Sequence, residues 1–141
     1  WHLTTQEFFQ LAYDQLEPDG VLVINVGRSQ TDRRLVEGLA GTIDTVFPSI
    51  YIMDLPDTFN SIIYATKQPT HIENLYNNYL FLMAKKDPHP LLIEVIKKMI
   101  VYQQALPETE TVFTDDNAPI EWITNTLVLN YLVSGELEQL K

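Results

Sequence analysis

The sequence predicts an α/β domain in which a three-stranded mixed sheet is flanked by helices and followed by a helical tail. Short runs of β-branched and aromatic residues, typical of strands, occupy residues 21–26, 49–54 and 59–66. Segments with apolar residues at helical spacing lie before the first run, between the first two runs and after the third. We therefore expect one domain or part of one, with the sheet in residues 1–68 and the tail in residues 69–141.

The composition of the 141 residues excludes several classes of protein. Lys and Arg number 9 and Asp and Glu number 19, so the formal net charge is −10. An acidic chain repels phosphate backbones, so nucleic acid is not the expected partner. The chain has no cysteine, which agrees with a cytoplasmic location and removes thiolate chemistry. It has no apolar run of the ~18 residues that a membrane helix needs. Because Trp1 is not an initiator Met, we expect a piece of a longer protein.

A helix is expected over residues 4–16, followed directly by a strand. Thr4 and Glu7 have the spacing of a capping box at the start of this helix. Residues 17–20, Glu-Pro-Asp-Gly, are a strong turn signal. The run 21–26 that follows is apolar almost throughout, without alternation, which is typical of a strand covered on both faces.

A second helix follows the first strand. Ser29 and Asp32 have the spacing of a helix cap. Apolar residues then recur at three- and four-residue spacing: Leu35, Val36, Leu39, Ala40, Ile43 and Val46. The stretch 38–41, Gly-Leu-Ala-Gly, lies in the middle of this helix and not after a strand. We therefore interpret its glycines as sites of close packing and not as a phosphate-binding loop.

The connections between the strands predict the topology of the sheet. Residues 49–54 and 59–66 are joined by a short link, so they should be antiparallel neighbours. The strand 21–26 reaches 49–54 through a helix, so these two should run parallel. One edge of the strand 21–26 is then expected to lie open.

Three helices are expected after the sheet. The first opens with a second capping-box pair, Thr70 and Glu73, and the second runs over residues 91–105. The third begins after a cap at Asp116 or Asn117, and Gly135 is its expected stop. Aromatic residues of the first helix are interpreted as core and interface packing: Tyr76, Tyr79 and Phe81.

The loop after the first strand is the main candidate site. Asn25, Gly27 and Arg28 lie at the carboxyl end of that strand, where ligands bind in open α/β sheets. We expect these three residues to lie near a substrate or cofactor. The alternative is that Gly27 only permits the turn and that Arg28 is a solvated charge.

Other groups that could carry chemistry have simpler interpretations. Ser29 is placed like the serine of a nucleophile elbow, with His71 or His89 as base, but Thr31 replaces the second glycine of that pattern. Ser29 is therefore interpreted as a cap. The histidines, at positions 2, 71 and 89, lack the spacing of metal ligands. The acidic pair at residues 115–116 is also interpreted as a cap, so we expect neither a catalytic residue nor a metal site.

Four strings of the sequence resemble spermidine synthase-like domains, which are polyamine aminopropyltransferase homologues. They are HLTTQEFF (2–9), LEPDGVLVINV (16–26), FNSIIYAT (59–66) and TDDNAPIE (114–121). The fold of that family is similar to the Rossmann-like fold of S-adenosylmethionine-dependent methyltransferases. The resemblance covers nearly all of the chain and implies its carboxyl-terminal half.

The resemblance implies a specific strand order, and it also implies which half of the fold holds the cofactor and the catalytic residues. The last antiparallel strand inserts between its two predecessors, which gives the order 21–26, 59–66, 49–54. The family's cofactor loop and catalytic aspartates belong to the first half of the fold, so this chain alone is expected to be inactive. In the intact parent, the resemblance implies decarboxylated S-adenosylmethionine or S-adenosylmethionine as cofactor and a small amine as acceptor. Some members are anchored to membranes, so the parent can carry a membrane segment that this chain lacks.

An alternative from another class is a non-enzymatic interaction or regulatory module. Such a module would use the open edge of the strand 21–26 to associate with a second copy. A homodimer is the state that this interpretation predicts.

Overall fold

The computed structural model describes residues 3–134, apart from the side chains of Tyr131 and Ser134, and it confirms the α/β class. His2 and Gly135, considered above, lie outside these residues. The elements in this part of the chain are α1 (Gln6–Gln15), β1 (Val21–Gly27), α2 (Arg34–Asp44), β2 (Ser49–Asp54), β3 (Asn60–Thr66), α3 (Ile72–Met83), α4 (Pro90–Val101), β4 (Gln103–Gln104) and α5 (Ile120–Ser134).

The sheet has the order β1-β3-β2-β4, so the expected central position of β3 is confirmed. β3 is antiparallel to both of its neighbours, and β1 and β2 therefore run in the same direction without touching. In one row of side chains, Tyr64 of β3 lies between Val23 of β1 and Tyr51 of β2. Every adjacent pair is thus antiparallel, although the chain makes the helical crossover of a parallel unit.

The fourth strand was not expected. The helix predicted over residues 91–105 ends at Val101, and Gln103 and Gln104 pair with Met53 and Ile52 at the outer edge of β2. The amide of Asp54 also donates to the carbonyl of Tyr102, at 3.1 Å. Pairing with the unsatisfied edge of β2 overrides the helical pattern here, because exposed strand amides and carbonyls need partners.

The two faces of the sheet are covered to different extents. One face shares the apolar core with α1, α2 and α5, and its buried apolar residues are Val26, Ile50, Ile52, Ile63 and Ala65. On the other face, Val21 and Val23 of β1 are 48% and 54% exposed. The prediction that β1 is covered on both faces is therefore wrong for the described residues. The unbroken apolar pattern of β1 shows that both faces suit burial, but it does not supply an element to cover the second one.

Both predicted capping boxes are wrong, because residues of each box make contacts with other parts of the fold instead. The cap of α1 is Thr5, which accepts from the amide of Phe8 at 3.4 Å and donates to Asp115 at 2.7 Å. Glu7 accepts from the amide of Asp115 at 3.1 Å instead of reaching back to its own helix start. At α3 the cap is His71, which makes no side-chain cap bond.

The glycines of α2 provide close packing, as expected, although the partner is a loop and not a helix. A Cβ at Gly38 would overlap the ring of Phe113, and one at Gly41 would lie 2.6 Å from the carbonyl oxygen of Thr111. The hydroxyl of Thr42 donates to the carbonyl of Gly38 at 2.6 Å and accepts from the amide of Phe113 at 2.8 Å. The loop before α5 is thereby held against α2.

The helical pair α3 and α4 packs mainly on itself. No residue of α3 is buried, and Ile96 is the buried residue of α4. Tyr76 and Phe81 are 46% and 63% exposed, so core packing is wrong for these two residues. Tyr79 is half-buried, and interface packing of the three aromatic residues stays a prediction. No helix within residues 3–134 has both the length and the apolar character needed to cross a bilayer.

Candidate functional site

The loop from β1 to α2 is built around Ser29. This residue is 3% exposed, and its hydroxyl oxygen accepts from the amides of Thr31 and Asp32 at 3.2 and 2.9 Å. Ser29 therefore stabilises a turn five residues before α2, and the prediction that it caps the helix is wrong. The cap of α2 is Arg33, which makes no side-chain cap bond, and the carboxylate of Asp32 just before it accepts from the amide of Arg34, the first residue of α2, at 3.2 Å.

The nucleophile interpretation of Ser29 gains no support. The hydroxyl contacts Thr31 and Asp32, whereas His71 and His89 precede α3 and α4. A serine nucleophile needs a base within hydrogen-bond reach. Its role is structural in the described part of the chain.

A cluster of charged and polar side chains lies at the carboxyl ends of β1 and β2. We call it the Asp54 cluster, and it consists of Arg28, Arg33, Asp54 and Ser61. Arg33 donates to both carboxylate oxygens of Asp54, at 2.7 and 3.2 Å. Ser61, which is fully buried, donates to Asp54 at 2.6 Å. Nε of Arg28 donates to Ser61 at 3.1 Å and lies 3.4 Å from Asp54. The side chains of Arg28 and Asp54 are only 11% and 18% exposed.

The electrostatics of the Asp54 cluster keep its carboxylate ionised. Burial works to raise the pKa of Asp54, but the hydrogen bonds from Arg33 and Ser61 outweigh it and hold the pKa below its ordinary value. The nearby charge of Arg28 acts in the same direction. A hydrogen bond from Arg34 likewise lowers the pKa of Asp32, against the opposing effect of burial.

The Asp54 cluster borders a cavity of about 330 Å³. The cavity lies between the β1–α2 loop and the β2–β3 loop, and Tyr102 closes it from the side of β4. Its polar and aromatic lining includes Arg28, Gln30, Asp54, Asp57, Phe59 and Tyr102. The arrangement is suited to holding a small polar group beside a guanidinium.

The structure does not bring the three predicted site residues together. Arg28 lies on the cavity, on the same face of the sheet as Val26 and Ser61. Asn25 belongs to the opposite face, where it is exposed and opposes Ile62. A Cβ at Gly27 would meet nothing within 4 Å, so this glycine does not mark a close contact.

Asp54 and Ser61 are residues of the site that sequence reasoning missed. The signal available was a polar residue at the end of one predicted strand and another at the start of the next. Their meeting depends on the register of β2 and β3, which places Asp54 opposite Ser61. A run of alternating apolar residues does not specify that register before the turn is known.

A second cavity, also of about 330 Å³, lies on the opposite face between the sheet and the α3–α4 pair. It is mainly apolar, and its lining includes Tyr51, Met53, Tyr64, Leu75 and Met99. Burial raises the pKa of Tyr64. Among the described residues, no Asp, Glu, Lys or Arg lines this cavity, so its lining does not indicate a charged ligand.

The acidic pair before α5 has a structural partner. Asp115 joins α1 through Thr5 and Glu7, as described above, and a turn pairs Thr114 with Asn117. Within residues 3–134, no three His, Asp or Glu side chains form a group that would hold a metal ion.

Comparisons with known proteins support the fold. No family model matches the sequence, and no curated protein matches it. The similar solved structures include spermidine synthase in complex with the transition-state analogue AdoDATO and spermidine synthase from Thermotoga maritima. Each has a TM-score of 0.52 and 21% identity, and each match covers 91% of this chain and 40% of the other.

The fold class follows from the strand order and these matches. The chain has a spermidine synthase-like fold of the Rossmann type. It spans about two fifths of the length of the spermidine synthases that it matches, at 40% of each.

Proposed function

We propose that the chain is the carboxyl-terminal portion of a spermidine synthase-like transferase. The parent would transfer an aminopropyl or methyl group from a sulfonium cofactor to a small amine in the cytoplasm. The observation that carries this proposal is the central position of β3 between β1 and β2, together with the match of 91% of the chain to spermidine synthases.

We expect this chain to supply one part of the parent's binding site and the upstream part of the parent to supply the rest. This chain supplies the sheet segment β1-β3-β2 and, at its carboxyl ends, the Asp54 cluster. Ligands of open α/β sheets bind at this end of the strands. The cofactor is expected to be decarboxylated S-adenosylmethionine or S-adenosylmethionine, held by the upstream part of the parent. Of the three predicted site residues, Arg28, which lines the cavity beside the Asp54 cluster, would lie on the acceptor side.

Transfer of radiolabel from the cofactor to an amine tests this proposal. The 141-residue chain alone is expected to transfer no label from either cofactor. The complete polypeptide that contains it is expected to label putrescine or another small amine. Transfer by the isolated chain would contradict the proposal that the cofactor is held by the upstream part of the parent. A complete polypeptide that transfers nothing from either cofactor would contradict the proposal that the parent is a transferase.

A second candidate function rests on the outer edge of β1. This strand pairs with β3 on one side, and within residues 3–134 no strand pairs with its other side. Val21 and Val23 add exposed apolar surface to the same strand. Open strands of this kind associate with other strands. The chain would then be a module that binds a second copy through β1.

Sedimentation or sizing chromatography separates the second candidate from the first. Edge pairing predicts a dimer at high concentration, and Val23→Lys is expected to convert it to a monomer because a lysine in an edge strand opposes pairing. Leu132→Lys, on the exposed surface of α5, is the matched control and should leave the dimer intact. A wild-type chain that stays monomeric at high concentration contradicts edge pairing.

A further inference from the structure

The arginines of this acidic chain are concentrated at one place. The sequence has a net charge of −10, yet its three arginines all fall within residues 28–34. Two of them, Arg28 and Arg33, face the single carboxylate of Asp54. The Asp54 cluster therefore carries a net charge of +1 in a chain that is negative elsewhere.

The two arginines are not equivalent partners of Asp54. Arg33 forms the bidentate pair, and Ser61 adds a third hydrogen bond to the carboxylate. Arg28 approaches only with Nε, which is 3.4 Å from the carboxylate and donates to Ser61. Asp54 is thus already neutralised, and Arg28 is a surplus charge. A guanidinium that is 11% exposed without a full counter-charge is costly, because burial penalises an unpaired ion.

Arg28 keeps most of its donor capacity. A guanidinium has five N–H donors in a planar fork, and Nε supplies one of them. Among the contacts of residues 3–134, the two terminal nitrogens of Arg28 have no partner. Such a fork matches the two oxygens of a carboxylate or phosphate and gains a strong, charge-assisted pair.

The position of Arg28 gives a ligand access to these donors. Arg28 lines the cavity of about 330 Å³ at the carboxyl ends of β1 and β2. Gln30 and Tyr102 add polar groups to the same wall. Asp57, the one other carboxylate on the lining, is exposed at the rim, where water and salt screen it.

We propose that Arg28 binds an oxyanion, the carboxylate or phosphate group of a small ligand, in this cavity. The site does not depend on the transferase chemistry proposed above.

Titration of the ¹⁵N-labelled chain with succinate and, separately, with inorganic phosphate tests the site by NMR. At least one anion is expected to bind saturably, with a dissociation constant on the order of 1 mM, and to shift the Arg28 side-chain and Phe59 amide signals. Saturation by succinate but not phosphate identifies a carboxylate site, and the reverse identifies a phosphate site. Putrescine is expected to leave these signals unchanged.

Variants separate a fork at Arg28 from diffuse charge. Arg28→Gln is expected to abolish binding, and Arg28→Lys, which keeps the charge beside Ser61, to weaken it about tenfold because the fork is lost. Arg34→Gln is the matched control, since Arg34 pairs with Asp32 away from this cavity, and it should change affinity less than about twofold. Thermal melts confirm that each variant folds. The proposal is overturned if neither anion saturates the wild-type chain, or if Arg34→Gln loses as much affinity as Arg28→Lys.

Discussion

Gly38→Ala is expected to destabilise the chain by about 3 kcal/mol. The added methyl would occupy the space that the ring of Phe113 now fills. That ring is 1% exposed, and buried rings lie in closely packed surroundings that yield little to an added methyl. Alanine improves helix propensity by about 1 kcal/mol, so the overlap must outweigh a gain in the opposite direction. Urea unfolding followed by circular dichroism measures the difference.

Two further variants identify the cause of this loss. Gly27→Ala introduces the same methyl where nothing lies within 4 Å, and it should change stability by less than about 0.5 kcal/mol. Phe113→Leu in the Gly38→Ala background is expected to recover part of the loss, because a smaller side chain makes room for the methyl. If Gly38→Ala is as stable as the wild type, the loop before α5 does not pack on α2 as described.

Asp54→Asn is expected to cost about 2 kcal/mol of unfolding free energy at pH 7. The substitution keeps the size of the side chain but leaves Arg28 and Arg33 facing no negative charge. A buried ion without a partner lowers the free energy of unfolding. The expected loss is smaller than for a fully buried pair because the side chain of Asp54 is 18% exposed. Urea unfolding at pH 7 checks the loss. Glu94→Gln, which removes an exposed pair with Lys98, is the control and should change little.

The contribution of Asp54 to the free energy of unfolding is expected to depend on pH. The pKa of Asp54 is lower in the folded chain than in the unfolded chain, so its contribution is complete above about pH 4 and is lost as the pH falls through the folded pKa. The gap between wild type and Asp54→Asn should therefore narrow between pH 4 and more acidic values. A gap that stays constant over this range would show that the carboxylate is not stabilised by the cluster.

The fold was predictable where apolar periodicity and chain connection decide it. The order of β1, β3 and β2 followed from the resemblance, and the antiparallel link between β2 and β3 followed from its length. β4 was missed because a two-residue strand has no periodicity of its own and forms only against the edge of β2. Exposure of α3 was missed for a related reason, since a helical stripe identifies an apolar face but not the element that covers it.

The site was predictable only in its location. Arg28 was recognised because it follows a strand at the end where ligands bind. Asn25 was included by proximity in sequence, but alternation along β1 sends it to the opposite face. Asp54 and Ser61 meet only through the register between β2 and β3, and Arg33 reaches Asp54 because the Ser29 turn delays the start of α2. These are tertiary contacts that no local pattern encodes.

Backbone NOEs in a ¹³C,¹⁵N-labelled chain locate β3 in the sheet and so test the fold directly. The strand order β1-β3-β2 predicts cross-strand contacts from Ile63 to both Ile24 and Ile52, as their register requires. It predicts none between the backbones of Ile24 and Ile52. Direct contacts between β1 and β2, with β3 at the outside of the sheet, would contradict the spermidine synthase-like fold and the proposals that depend on it.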